Sequence, residues 1–358
     1  MFGVNRFRLS SLLKAGLSGI CLVLLFASCA SGPAPAAAAP RAAGPEWIRA
    51  GGTHERFDSN AYMTAVGHGT SRQAAEASAL GQLVMVFGTD IEVSIESMEI
   101  YRRRGDVVVQ EASAGIEVAL GAGMANLIGT EIGDRWDDGR GNFVAFAVMN
   151  RERAARAYSD LIRANLNIIN NVTNMTAAER NSLSGFSRYR FAAAIADMNV
   201  SYAAVLSILG MPAVPGVRNG DHYRLAAMNI ANSISVGINV DNDRAGRLRG
   251  AFASAFTAFG LRTDGANQPY VLEVSLVVQP TEHAAVAGRP VFVRMELAAN
   301  LINTNTGAVL LPYTFNVREG HTVESEANNR AFMSAERRIN SEYRNILTDH
   351  LTQLIPRQ

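Results

Sequence analysis

Apolar residues along this chain recur at two spacings. Where they return every three or four positions they predict helices, and where they alternate with polar residues they predict strands. Tyr62 to Val66 reads as a short strand. Thr70-Ser71-Arg72-Gln73 has the form of a capping box and opens a helix to Phe87, with Ala77, Leu80, Val84 and Phe87 on one face and Gly88 as its stop. Ile91-Glu92-Val93-Ser94-Ile95-Glu96 alternates strictly, the pattern of a strand with one wet face. Val107 to Val118 and Ala125 to Trp136 are further strand candidates, and the Asp137–Asn142 turn leads into Phe143 to Val148. One helix, one strand before it and a run of antiparallel strands after it make an α+β module over residues 45–150.

Residues 151–210 carry a helical hairpin. The first helix, Arg151 to about Asn171, shows Ala155, Tyr158, Ile162, Leu166 and Ile169 on one face. Thr176-Ala177-Ala178-Glu179 is a second capping box, and the helix after it carries Phe191, Ile195, Met198, Tyr202, Val205 and Leu209 before Gly210 and Pro212. A second α+β module is expected over residues 221–358. A short helix from Asp221 leads to an alternating strand through Ile234, Val236, Ile238 and Val240. Asp243 caps a helix striped with Leu248, Phe252, Phe256 and Phe259. Strands at Tyr270–Val278, Val291–Ile302 and Tyr313–Val317 follow, the last two joined by a turn at Thr304–Gly307. A final helix, about Ser325 to Leu354, places Phe332, Ala335, Ile339, Tyr343, Ile346, His350 and Leu354 on one side. Both modules read strand, small-residue helix, alternating strand, a similarity that fits remote duplication and chance equally.

The first 44 residues follow neither spacing. Arg6, Arg8 and Lys14 precede an apolar run from Ala15 to Phe26, which is too short to span a bilayer of roughly 20 residues and reads as the core of a signal peptide. It ends in Phe26-Ala27-Ser28-Cys29. Small residues followed directly by cysteine resemble the lipobox of bacterial lipoproteins, although Phe26 stands where leucine is usual. The resemblance implies cleavage between Ser28 and Cys29 and a diacylglycerol on the Cys29 thiol. One acyl chain anchors only marginally and two hold stably. Ala30 is not aspartate, which among lipoproteins goes with transfer to the outer membrane; the periplasmic face is the expected location and the cell surface the alternative. Ser31 to Gly44, SGPAPAAAAPRAAG, is rich in Pro and Ala and reads as a semi-extended tether.

Cys21 leaves with the signal and Cys29 carries lipid, so the mature chain has neither a disulfide nor a cysteine-based metal site. Removing residues 1–28 takes away three positive charges and moves the formal net charge from +1 to −2. Such a chain has no global attraction to nucleic acid.

Residues 45–148 resemble the Lpp-twenty lipoprotein family in PEW near the start, YMTAVGHGTS before the helix, the Ala-rich RQAAEASALGQLVMVFG and the alternating IEVSIES. The amino-terminal domain of the flagellar assembly protein FlgT is similar over the same stretch. Residues 221–354 resemble the open α/β modules of FlgO, CsgG and the TolB amino-terminal domain. These resemblances imply envelope proteins that bind or scaffold other proteins, without catalytic residues or a cofactor.

The residues themselves offer few chemical sites. His54, His68, His222, His283, His321 and His350 are not spaced as metal ligands. Gly67-His68-Gly69 opens a helix but lacks the third glycine and the Lys-Ser/Thr pair of a phosphate loop. In Asp134–Gly139, DRWDDG, Trp136 occupies a position where a calcium loop needs an oxygen, so a turn is expected. Arg102, Arg103 and Arg104 form a basic hairpin tip, suited either to lipid headgroups or to solvating a strand edge. Ile91, Val93 and Ile95 mark an edge to which a partner's strand could add. The function expected is a non-catalytic, membrane-anchored scaffold or assembly factor with envelope protein partners. The alternatives are a surface ligand-binding lipoprotein, or a cell-wall hydrolase using Glu92, Glu96 and Asp134. Oligomeric state is not set by the pattern.

Overall fold

The computed structural model describes residues 44–49, 52–87, 127–243, 245–265, 268–280 and 290–356. Ser28, Cys29, the tether, Ile91, Val93, Ile95, Arg102, Arg103, Arg104, the strand candidate over 107–118 and His283 lie outside them. Residues 43–358 form one compact unit of α+β architecture.

Its first sheet has the order β1-β3-β2, antiparallel throughout, with β1 Tyr62–Gly69, β2 Thr130–Asp137 and β3 Phe143–Asn150. The central strand β3 is apolar on both faces and buried on both. Ala145, Ala147 and Met149 meet helix α2, while Val144, Phe146 and Val148 meet Trp47 of the one-turn helix α1, Glu46–Arg49. Helix α2, Arg72–Val86, begins one residue later than its sequence suggests: Ser71 is the cap and accepts the Ala74 amide. Its buried face is Ala75, Ala79, Leu83 and Phe87. Ala77 is exposed, and Leu80 and Val84 are half-buried flanks. Glycines set this rotation. Gly67 and Gly69 let β1 approach the helix backbone at Ala75 and Ala79, so the smallest residues of α2 turn inward.

Helix α3, Arg151–Thr173, is capped by Asn150. The Thr176/Glu179 capping box forms in full, yet it opens only the single turn α4, Ala177–Arg180. The long helix α5, Leu183–Ile208, has its own cap, Ser182. α5 is long and apolar enough to cross a bilayer, but two-thirds of its apolar stretch is buried inside the protein. A helix apolar on all sides needs cover on all sides. Here Phe191, Ile195, Met198 and Val205 pack with α3 and the first sheet, whereas Leu183 and Phe186 belong to the second core.

Between α3 and α5, Asn165 Nδ2 donates to Asn199 Oδ1 at 2.8 Å in the buried interface. Asn199→Leu alone is expected to cost about 2–3 kcal/mol, because it leaves the Asn165 amide unpaired; Asn165→Leu/Asn199→Leu should recover most of that loss. Urea midpoints of the two singles and the double would show this, and additive losses would refute it.

Tyr158 lies across the same interface from Tyr202, and its hydroxyl accepts the Ile128 amide at 3.0 Å. Burial pushes this hydroxyl up to about 12, against a weaker opposing pull from the Ile128 amide. The unfolded chain then loses this proton near pH 10 while the folded chain keeps it. Stability present below about pH 10 is therefore lost as pH rises toward about 12, by on the order of 2–3 kcal/mol from this group. Tyr158→Phe should remove that part of the alkaline loss of stability in denaturation at matched pH. An unchanged pH profile would refute the assignment.

Helix α6, Gly220–Ser233, leads to the second sheet, of order β4-β5-β6-β7. β4 Val236–Val240 runs parallel to β5 Tyr270–Pro280 across helix α7, Arg247–Thr257; β6 Val291–Asn303 and β7 Val309–His321 are antiparallel additions. Alternation here is clean: Leu272, Val274 and Leu276, and Val293, Met295 and Leu297, point into the core, leaving Glu273, Ser275, Arg294 and Glu296 outward. Asp243 does cap α7, but from four residues upstream, accepting the amides of Arg247 and Arg249, while Gly246 occupies the cap position at φ +67°.

The last helix is α8 Glu324–Arg338, a π-turn Ile339–Tyr343 and α9 Arg344–Gln353. Its buried row is Ala327, Ala331, Ala335, Ile339, Tyr343, Leu347 and Leu351. Ile346, His350 and Leu354, expected on that row, are half-buried beside it. A row that steps by four drifts around an α-helix of 3.6 residues per turn, and the wider π-turn corrects the drift. On the edge strand β7, the carbonyls of Asn316 and Gly320 accept Arg338 and Arg330 of α8 at 3.0 and 3.5 Å, and Pro312 supplies no amide.

Candidate functional site

The sheet face away from α2 carries the most chemically varied cluster among the described residues. Trp47 plugs into it at 5% exposure, its ring centroid 5.3 Å from that of Phe146. The chain then turns back through Gly52, whose amide donates to Trp47 O. A tight bridge joins His54 and Phe57, with Phe57 stacked on Phe146 at 5.8 Å. Asp134 is brought to the same face by an irregularity. The β2–β3 register shifts between Ile132 and Asp134, so Gly133 is the extra residue and Asp134, not Gly133, stands opposite Phe146. A bulge of this kind moves a side chain to the other face of a sheet. Gly133 also suits this place because a Cβ there would lie 2.8 Å from the Phe57 ring.

His54 Nε2 and Asp134 Oδ2 are 3.1 Å apart, and the Arg56 amide donates to His54 Nδ1, also at 3.1 Å. Because Nδ1 accepts, the ring proton sits on Nε2 and is donated to Asp134. The His54 side chain is only 9% exposed, lying between Trp47, Phe57 and Phe146 with centroids 5.0 to 6.2 Å away. Asp134 Oδ1 accepts the Arg135 amide at 2.8 Å, and Arg56 Nη2 stands 3.9 Å from Oδ2. Partial burial raises the Asp134 carboxyl, but the hydrogen bond from His54, the Arg135 amide and the charge of Arg56 together hold it below the usual carboxylate range. Above this group opens a cleft of about 520 Å³, lined by Pro45, Glu46, Thr53, Glu55 and Arg56 together with Trp47, His54 and Asp134.

This arrangement can hold a segment in place or present a binding surface. His54 has spent both nitrogens, and each Asp134 oxygen already accepts one hydrogen bond. Among the described residues, no group of three or more His, Cys, Asp or Glu could hold a metal ion.

The structure places the other sequence candidates apart from this cluster. His68 is exposed at the end of β1, and its flanking glycines seat α2. Asp138 takes the amides of Arg140 and Asn142, the turn expected of DRWDDG. His222 contacts Arg218 at 3.0 Å, and His321 Nδ1 accepts the Val323 amide. His350 is half-buried, and burial pulls its pKa down. The His54–Asp134 pair was not foreseen, since its members are 80 residues apart. The one local signal was Gly133 inside a strand pattern, which marks a bulge.

No family model and no curated protein matches the chain. Solved structures that do match include a secreted protein of Helicobacter pylori, at 13% identity and TM-score 0.38, covering 78% of this chain and 97% of that one. A minor lipoprotein of Acinetobacter baumannii matches at 17% identity and TM-score 0.23, over 33% of this chain and 92% of its own. A candidate lipoprotein of Caulobacter crescentus matches at 18% and 0.23, over 35% and 92%.

Proposed function

We propose that the chain is an envelope lipoprotein, tethered to the outer membrane through Cys29, that acts as a scaffold or assembly factor by binding protein partners and not by catalysis. The observation that carries this reading is Ser28-Cys29 standing directly behind a signal-like apolar run and ahead of a Pro/Ala tether. A non-catalytic role is supported by the His54 ring, both of whose nitrogens are engaged. Pro45 and Glu46, among the first described residues, stand at the rim of the recessed cleft. That recess also supports the surface ligand-binding alternative, and prompt proteolysis on intact cells would favour it.

The test is mass spectrometry of the mature N-terminus with membrane fractionation, wild type against Cys29→Ala. Expected are acyl chains on Cys29 and loss of the variant from the membrane. Cleavage elsewhere, with both proteins soluble, would overturn the anchor. Partners would then be sought by crosslinking. Lys14, inside the predicted signal, is the sole lysine, so amine-directed reagents would find only the N-terminal amine. Carboxyl-directed or photoreactive chemistry is required, and a protein that remains monomeric and partnerless in membranes would count against the scaffold role.

A further inference from the structure

We infer that residues 45–49 and 52–57 form a pH-sensitive clasp, closed when the His54 imidazole is neutral and opened when Nδ1 takes a proton. The closed state needs Nδ1 as an acceptor, because it receives the Arg56 amide and so helps close the His54–Phe57 turn. A protonated ring turns that nitrogen into a donor facing another donor. The Arg56 amide then loses its partner, and a ring only 9% exposed and flanked by three aromatic side chains has little access to water to replace it.

Opposing terms exist, and none of them acts at Nδ1. Asp134 on β2 attracts an imidazolium, but its side chain is 39% exposed and it already faces Arg56. The pair has one buried partner, so its attraction is real, but it acts through Nε2 and leaves Nδ1 facing the Arg56 amide. Glu46 of α1 and Glu55 of the turn also line the cleft, and both are open to solvent screening. The stacked Trp47 ring favours a cation modestly. None of these returns a hydrogen bond to the Arg56 amide.

Opening loosens Phe57 from Phe146 and Trp47 from its seat. It would free up to about 40 Å of extended chain at the root of the folded unit. The clasp is a property of the fold and stands whether or not Cys29 carries lipid.

The sequence holds two tryptophans, so Trp136→Phe leaves Trp47 as the sole emitter. In the full chain carrying that substitution, Trp47 emission should change in one step as the solution is acidified from neutral pH. Amides of residues 52–57, corrected for the intrinsic effect of pH, should exchange about tenfold faster at the acid end, the equivalent of one lost hydrogen bond. His54→Asn keeps an acceptor for the Arg56 amide but cannot titrate, and should abolish both changes. The inference is overturned if emission and exchange stay flat, or if the same step persists in His54→Asn. The exchange measurement on the unsubstituted chain carries the test if Trp136→Phe does not fold.

Discussion

A Gly67→Ala chain is expected to lose about 3 kcal/mol of stability or to fail to fold, the upper range for overpacking. A Cβ at Gly67 would overlap the Ala79 amide nitrogen and lie 2.5 Å from the Ala75 carbonyl oxygen. Both obstacles are helix backbone, which cannot swing aside as a side chain can. Relief requires lifting α2 off the sheet, which exposes Leu83 and Phe87. The internal control is Gly250→Ala. Gly250 is exposed in α7, and a methyl group added there would meet nothing within 4 Å, so alanine should stabilise by about 0.5–1 kcal/mol. One substitution with opposite signs at two sites separates close approach from helix propensity. If thermal midpoints moved the same way in both, the seating of α2 on β1 would be wrong.

The second large effect concerns the last helix. Deleting the exposed Asn329 from α8 should rotate everything after it by about 100° relative to the core. Ala335, Ile339, Tyr343, Leu347 and Leu351 would all leave the buried row, at a cost large enough to abolish cooperative folding of the C-terminal half. Deleting the exposed Ser341 should be far milder. It removes the extra residue of the π-turn and yields an ordinary α-helix on which Leu347 and Leu351 still face inward. A urea midpoint within about 2 kcal/mol of wild type for the Ser341 deletion is the expected result. Equal damage from the two deletions would refute the drift-correction account.

These two features also mark where the sequence stops being legible. Alternation in β5, β6 and β7 reveals the strands and their inward faces, because each has one wet side and a two-residue period is hard to mistake. β3 reads as a strand, but its burial on both faces depends on α1 and α2, which meet it from elsewhere in the chain. The helix faces of α2 and α8–α9 read a step off. Ala77-Leu80-Val84 is the more hydrophobic stripe of α2, yet the glycines of β1 draw in the smaller Ala75 and Ala79. In the last helix, regular 3.6-residue spacing selects Ile346 and His350, since nothing local announces a π-turn. Likewise the Thr176–Glu179 box is well formed but stops after one turn, because Ser182 offers a second cap. The His54–Asp134 cleft needs a bulge, a turn and 80 residues of separation to come together, and no spacing rule spans that.

The treatment of β7 limits how molecules of this protein can meet. An uncovered outer strand is a template on which another chain's strand can grow, and repeated growth gives ribbons and fibrils. Here Pro312 interrupts the row of donors, and Arg338 and Arg330 already occupy two of the acceptors. The guanidinium groups are supplied by α8, so the blockade persists only while that helix is docked. Undocking it, as the Asn329 deletion would, should therefore let copies of the chain assemble through this sheet edge.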